Sequence, residues 1–219
     1  MGLNPELRFT CSWSVTVSVA LKIIIGVSTV IVLLTAAYVG YVCMVAYAFG
    51  VFDKAYTRQE LVAGYSEHRA EIQAAISYYE AIVPHDKEVE IEFEKGDITR
   101  MVVKAGTAEH PTYTLAWDSK KEQIDSLVAS LGWSDEVVQQ LQEKLDAADC
   151  ISIQNGEPAV LGFKRSGMGM YSFNVFSHPM ADSLREQYAR SCTHLIQSEE
   201  LVLEYGGGAI GPQCFPAGY

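Results

Sequence analysis

The sequence predicts an α+β fold, in which a single N-terminal transmembrane helix precedes a mainly antiparallel β-sheet domain packed with helices. Three observations carry this prediction. A long apolar run lies near the N-terminus, short alternating segments joined by turn signals follow it, and amphipathic helical patterns separate those segments. We expect a short N-terminal tail at 1–22, a transmembrane anchor at 23–52 and a soluble acidic domain at 53–219.

The anchor prediction rests on a run of 30 residues without a charged side chain, between Lys22 and Asp53. About 20 apolar residues suffice to cross a bilayer, and buried core helices of this length normally carry a polar stripe. The apolar part of a cleaved signal peptide is shorter, at about 7–15 residues. The run therefore predicts an uncleaved signal anchor, with the lipid bilayer as the partner of residues 23–52.

The flanks of the run predict its orientation. Lys22 has no acidic neighbour, whereas Lys54 follows Asp53, so we expect the N-terminus in the cytoplasm and the domain outside it. No N-x-[ST] acceptor occurs, which favours a bacterial envelope. Residues 13–21 alternate between apolar and small residues, and a lone strand has no partner, so a mobile or interfacial tail is expected.

The charge distribution excludes one class of partner. The 219 residues include 16 Lys or Arg and 27 Asp or Glu, a formal net charge of -11. Only Glu6, Arg8 and Lys22 are charged within residues 1–52, so the predicted domain carries -12. Nucleic-acid binding needs clustered basic side chains, so no nucleic acid is expected as a partner.

The first elements of the domain have clear local signals. Thr57 and Glu60 form a capping-box pattern that opens a helix of about six turns, which Pro84 ends. A hairpin follows at residues 88–104, and we predict a three-residue turn at 95–97 because it gives both faces matching partners. That register pairs Val89 with Val103, Ile91 with Met101, Glu88 with Lys104 and Glu92 with Arg100. The glutamates then form a solvated face rather than a calcium site.

Later segments continue the pattern of strands and helices. Alternation at 113–117 predicts a third strand, and two helices around Trp133 predict an αα-hairpin. Asn155 and Gly156 mark a turn between two further strands, and alternation at 171–175 predicts another. A helix is expected from Ser177 to about Cys192, followed by a last strand at 201–205. Short links favour an antiparallel sheet.

A glycine-rich stretch after the last predicted strand is a candidate ligand loop formed by Gly206, Gly207, Gly208 and Gly211. It satisfies the G-x-G-x-x-G pattern, but a dinucleotide fold needs a further helix and strand, and eight residues follow Gly211. The stretch could still offer backbone amides to a ligand. The simpler interpretation is a surface tail in conformations that glycine permits.

Five cysteines are present, of which Cys150, Cys192 and Cys214 lie in the predicted domain. A disulfide between Cys192 and Cys214 is the pair we favour, because it would tether the C-terminal tail. Sequence alone does not fix this connectivity. Cys192 and His194 are two apart and point in different directions on a helix, which argues against a catalytic dyad.

No metal-ligand spacing, phosphate loop or nucleophile motif occurs, so neither a metal nor a cofactor is expected. The predicted function is an anchored, extracytoplasmic binding domain with an envelope protein as a candidate partner. One alternative is a membrane-tethered hydrolase whose site comes from distant residues. Another is a structural subunit with the plan of a pilin, although pilins carry a glutamate near the start of the hydrophobic segment and residues 23–52 contain no acidic residue.

Overall fold

The computed structural model describes residues 13–106, 111–117, 120–167, 169–206 and 213–215. The chain divides into two compact units, residues 1–51 and residues 52–219, and the second unit is called the domain below. The predicted fold class is confirmed: a long apolar N-terminal helix precedes a single antiparallel eight-stranded sheet packed with helices.

The first unit contains helix α1, Trp13–Ala48. It begins inside the predicted tail, since residues 13–22 contain no glycine, proline or acidic residue to stop a helix from propagating. Two threonine hydroxyls are satisfied within the helix, since Thr29 Oγ1 donates to the Ile25 carbonyl at 2.8 Å and Thr35 Oγ1 to the Ile31 carbonyl at 2.9 Å. The helix ends at Ala48, before the charge-free run does, and Gly50 follows with a φ of 64°, which suits a glycine after a helix C-terminus.

The domain contains five helices and eight strands among the residues that the structure describes. In chain order they are α2 Arg58–Glu67, α3 Arg69–Ile82, β1 Lys87–Glu94, β2 Asp97–Gly106, β3 Pro111–Trp117, α4 Lys121–Ser130, α5 Asp135–Ala147, β4 Ser152–Gln154, β5 Ala159–Ser166, β6 Gly169–Val175, α6 Asp182–Ala189, β7 His194–Ile196 and β8 Leu201–Gly206.

The strands form one sheet in the order β3-β2-β1-β4-β5-β6-β8-β7, with every neighbouring pair antiparallel. Helices α2 to α5 pack on one face of it, the core face, which carries Ile91, Met101, Leu161 and Phe173. These side chains are at most 1% exposed. Burying a large apolar side chain contributes about 1.5–3 kcal/mol, so this layer is the main source of stability.

The other face of the sheet, the outer face, carries Glu88, Glu90 and Glu92 of β1. Helix α6 and the segment before it cover the β8–β7 end of this face, where a second apolar cluster is centred on Phe176, Met180 and Val202. Toward β3 the outer face bears exposed apolar side chains, with Leu115 45% and Trp117 49% exposed.

The β1–β2 register is confirmed, although the turn is not the predicted one. Glu94 lies opposite Asp97, so the loop is the two residues Lys95 and Gly96, with φ values of 53° and 97°. Both residues are left-handed, as a tight hairpin turn requires. A register shift next to Phe93 restores the pairing of Ile91 with Met101. The extra residue of the bulge therefore gives the same register as the predicted third turn residue.

Two predicted helices differ from the observed ones. The first is divided at His68, which ends α2 and begins α3 with φ of -107°. The Thr57–Glu60 capping box at its start is confirmed. The helix predicted to run from Ser177 to Cys192 is shorter, because α6 starts at Asp182, and the chain then forms the short strand β7 that we had not predicted.

The prediction of a solvated glutamate face is correct for Glu88 and wrong for Glu92. Glu88 pairs with Lys104 at 2.9 Å, and both side chains are partly exposed. Glu92 lies opposite Arg100 as predicted, but its side chain is 5% exposed and binds Arg165 of β5. Arg100 pairs with Glu90 instead. Strand β4 places β5 near β1, and local alternation could not reveal that neighbour.

Gly162→Ala should destabilise the domain by about 1–3 kcal/mol, because there is no room for a methyl group on the outer face of β5. An added Cβ would lie 2.8 Å from Met170 Cε and closer still to Met170 Sδ and Ser152 Oγ. Urea denaturation of the full chain in detergent micelles measures the effect. The matched variant Gly162→Ala/Met170→Ala removes the contacts with Met170 and should lose less than the two single changes added together, and strict additivity would mean that Met170 contributes nothing to the clash.

Candidate functional site

The structure joins Cys192 and Cys214, the pair favoured from the sequence, in a disulfide with a Cα–Cα distance of 4.7 Å. The Phe215 backbone amide donates to the Cys192 carbonyl at 3.0 Å, and the Phe215 ring is buried. The disulfide thus holds residues 213–215 against the sheet. Of the candidate ligand loop, Gly206 is buried at the end of β8, while Gly207, Gly208 and Gly211 lie outside the described residues.

A chain of polar side chains lies next to this disulfide, on the outer face. His194 and Glu204 are opposite each other on β7 and β8, and their Nε2 and Oε1 atoms are 3.8 Å apart. Asn174, only 3% exposed, donates from Nδ2 to Glu204 Oε2 at 2.9 Å. On the other side of the imidazole, Nδ1 lies 2.7 Å from Thr193 Oγ1 and 3.1 Å from Ser191 Oγ.

The imidazole therefore lies between a carboxylate near Nε2 and two hydroxyl groups near Nδ1, and sites that activate a hydroxyl nucleophile use the same types of group. The ring of Tyr188 stacks on the imidazole with centroids 4.6 Å apart. Thr193 is buried, whereas His194 is partly exposed. We call Asn174, Ser191, Thr193, His194 and Glu204 the polar cluster.

Two effects act in opposite directions on the pKa of His194. Burial lowers the pKa of His194 below its usual value of about 6.5, and the charge of Glu204 partly offsets this by raising it. Because the pKa of His194 is lower in the folded state than in the unfolded state, the neutral imidazole contributes its full stabilisation at pH values above the unfolded pKa. Its contribution is lost as the pH falls below about 6.5 toward the folded pKa.

Glu204→Gln should therefore lower the pKa of His194 further, because the substitution removes the charge that raises it while burial stays. A titration of labelled histidine by NMR on the full chain in micelles measures the change. Glu186→Gln, on the exposed side of α6, is the matched control and should leave the pKa of His194 in place. A rise in the pKa after Glu204→Gln would contradict this account.

Neither Cys150 nor Cys192 offers a reactive thiol. Cys192 is engaged in the disulfide, which removes it as a nucleophile. Burial raises the pKa of Cys150 to about 12, so its reactive thiolate is scarce at neutral pH. Within the part of the chain that the structure describes, no group of three or more His, Cys, Asp or Glu side chains could hold a metal ion.

A cleft of about 770 Å³ opens between the β1–β2 turn and helices α4 and α5. We call it the acidic cleft. Its floor is apolar, formed by Ile98, Ile124 and Val138, and its exposed rim carries four carboxylates and two lysines. The rim residues are Glu94, Asp97, Asp125, Asp135, Lys95 and Lys121. Among the described residues that line this cleft there is no serine, cysteine or histidine.

Sequence reasoning missed both the polar cluster and the acidic cleft. His194 had been placed near the end of a predicted helix, where it could not face Glu204. Strand β7 reads His-Leu-Ile, which does not alternate, and three residues are too few to show a period, so no local signal predicts it. The cleft unites residues from a turn and two helices, and nothing in their local spacing links them.

Comparison of the chain with protein-family models, curated proteins and solved structures found no match.

Proposed function

We propose that this chain is a single-pass membrane protein that displays a binding domain outside the cytoplasm of a bacterial cell, with the acidic cleft as its binding surface. The span Val19–Tyr47 is long and apolar enough to cross a membrane, and its most apolar stretch has no residue buried in protein. Such a surface is stable in lipid rather than in water. The Cys192–Cys214 disulfide supports an oxidising compartment.

The observation that carries the binding role is the acidic cleft itself. Its apolar floor and carboxylate rim suit a cationic, amphipathic segment of a partner protein, whose apolar side chains would contact Ile124 and whose basic side chains would meet the rim. The charge of -12 on the domain would draw such a partner in from a distance. An envelope protein with a basic surface helix fits this chemistry.

Binding is tested with the full chain in nanodiscs and a synthetic amphipathic Lys/Leu peptide as the probe. Asp125→Lys/Asp135→Lys should weaken binding at least about tenfold, because it reverses charge on the rim. The matched control Glu67→Lys/Asp182→Lys makes the same change in net charge at exposed positions away from the cleft. Equal weakening in both variants would show that only net charge matters and would overturn the cleft as the site.

Orientation is tested by cysteine labelling of intact cells. Glu67→Cys places an exposed thiol on the domain, in a background with Cys11→Ser and Cys43→Ser. We expect a membrane-impermeant maleimide to label it without permeabilisation. Labelling only after permeabilisation would place the domain in the cytoplasm.

A membrane-tethered hydrolase is the second candidate, and the polar cluster is the observation that favours it. In that function the nearby Glu204 carboxylate stabilises the charge on His194, which accepts the proton of Ser191 as the hydroxyl oxygen attacks a carbonyl carbon and the C=O π bond opens to an oxyanion. Collapse of this intermediate breaks the bond to the leaving group, which takes the proton from His194, and water then hydrolyses the acyl-Ser191 ester. A fluorophosphonate probe should then label Ser191 in the full chain, and His194→Ala should abolish labelling. Without labelling of the wild-type chain, the binding function stands alone.

A further inference from the structure

Strand β3 forms one end of the sheet, and its outer edge is unpaired among the residues that the structure describes. Its inner edge pairs with β2 over the whole strand, from Arg100 opposite Trp117 to Gly106 opposite Pro111, without a register shift. The opposite end of the sheet differs. There β7 is three residues long and helix α6 packs beside it.

An open edge of this kind is normally protected by charge, an interior proline, a bulge or shortness. The seven residues of β3 read Pro-Thr-Tyr-Thr-Leu-Ala-Trp, with no charged side chain and with proline only at the first position. Threonine, tyrosine and tryptophan favour strands. Leu115 and Trp117 add exposed apolar surface on the outer face, beside the Arg100 guanidinium that lies 5.6 Å from the Trp117 ring.

We propose that a second copy of this chain occupies the edge, so that two β3 strands pair antiparallel about a two-fold axis and the two sheets become one. The edge fits this occupant because β3 carries no charged side chain, so two domains that each carry -12 meet there without adding a like-charge contact. A cationic partner would find no carboxylate on this strand to pair with. An isologous antiparallel pair needs only the one edge, since it is complementary to itself.

The two-fold pairing would also bring the exposed apolar side chains of the two copies together. Antiparallel strands about such an axis keep the same face upward, so Leu115 and Trp117 of both copies lie on one continuous outer face. Their exposed surface would be partly buried there by the copy across the axis. Two copies anchored in one bilayer would also meet at a raised effective concentration, a contribution that rests on the proposed function.

The oligomeric state of the full chain in detergent micelles tests the pairing without reference to orientation or cleft binding. Light scattering should give twice the chain mass at high concentration. Leu115→Lys, which adds a positive charge to the middle part of both paired strands, should raise the dissociation constant at least about tenfold. Val102→Lys, on the same face in the interior strand β2, is the control and should stay dimeric. Thermal unfolding checks that each variant is folded, and Thr114→Lys repeats the test at an exposed position on the other face of β3.

A cross-link locates the contact. In the Cys11→Ser/Cys43→Ser background, Thr114→Cys should form a dimer with a short bismaleimide, whereas Ser198→Cys at the far end of the sheet should not. A monomeric wild-type chain, or a dimer that persists in Leu115→Lys and Thr114→Lys, would overturn the proposal. A cross-linked product in cells whose mass is not twice that of the chain would identify another protein as the occupant and would also overturn it.

Discussion

Loss of the Cys192–Cys214 disulfide should destabilise the domain by about 3 kcal/mol, because the bond closes a loop with a sequence separation of 22. Closing a loop of this size in the unfolded chain removes conformational entropy that the reduced chain keeps. The variant Cys192→Ser/Cys214→Ser, studied by urea denaturation of the full chain in micelles, measures the effect. Wild-type protein in reductant should lose the same amount.

The control variant Cys11→Ser/Cys43→Ser removes two thiols outside the domain and should leave its stability unchanged. Loss of the disulfide should also change the tyrosine fluorescence of the domain. Phe215 packs against the rings of Tyr171 and Tyr205, with centroids 6.0 Å away in each case, and its release should expose those rings. Unchanged stability together with unchanged tyrosine fluorescence would mean that the bond does not hold the segment in solution.

How far the sequence determined the fold is clearest in the β1–β2 hairpin. Its register followed from the requirement that Ile91 face Met101, and that requirement holds even though the turn and the bulge were not foreseen. Any combination of turn and bulge that keeps matching side chains opposite each other on both faces gives the same register. The helix divided at His68 shows a break that the apolar pattern does not reveal. The buried residues on either side of His68 keep helical spacing, so the pattern predicts one continuous helix.

What the sequence could not determine depends on neighbours distant along the chain. The sheet order places β4 between β1 and β5, and a period of two contains no information about which strand comes next. The pair of Glu92 and Arg165 is separated by 73 positions. The polar cluster likewise needed the pairing of β7 with β8, which sets His194 opposite Glu204.

The buried Glu92–Arg165 pair tests how burial changes the contribution of an ion pair to the stability of the domain. Arg165 donates from Nε and Nη2 to the two carboxylate oxygens of Glu92, each at 2.6 Å, and the Glu92 side chain is 5% exposed. Glu92→Ala should cost about 2–3 kcal/mol, at or below the lower end of the range for broken buried pairs, because water still reaches the 41% exposed Arg165. Glu88→Ala, which breaks the partly exposed pair with Lys104, should cost less than about 1 kcal/mol.

The two partners should not be equivalent. Arg165→Ala leaves a carboxylate buried without its cation, whereas Glu92→Ala leaves a cation that can turn toward water, so the arginine substitution should cost more. Replacing both by apolar residues, as in Glu92→Leu/Arg165→Met, should recover most of the loss, because neither charge then stays unpaired. Urea denaturation of the full chain measures all four variants. If Glu88→Ala and Glu92→Ala cost the same, burial does not determine the strength of these pairs.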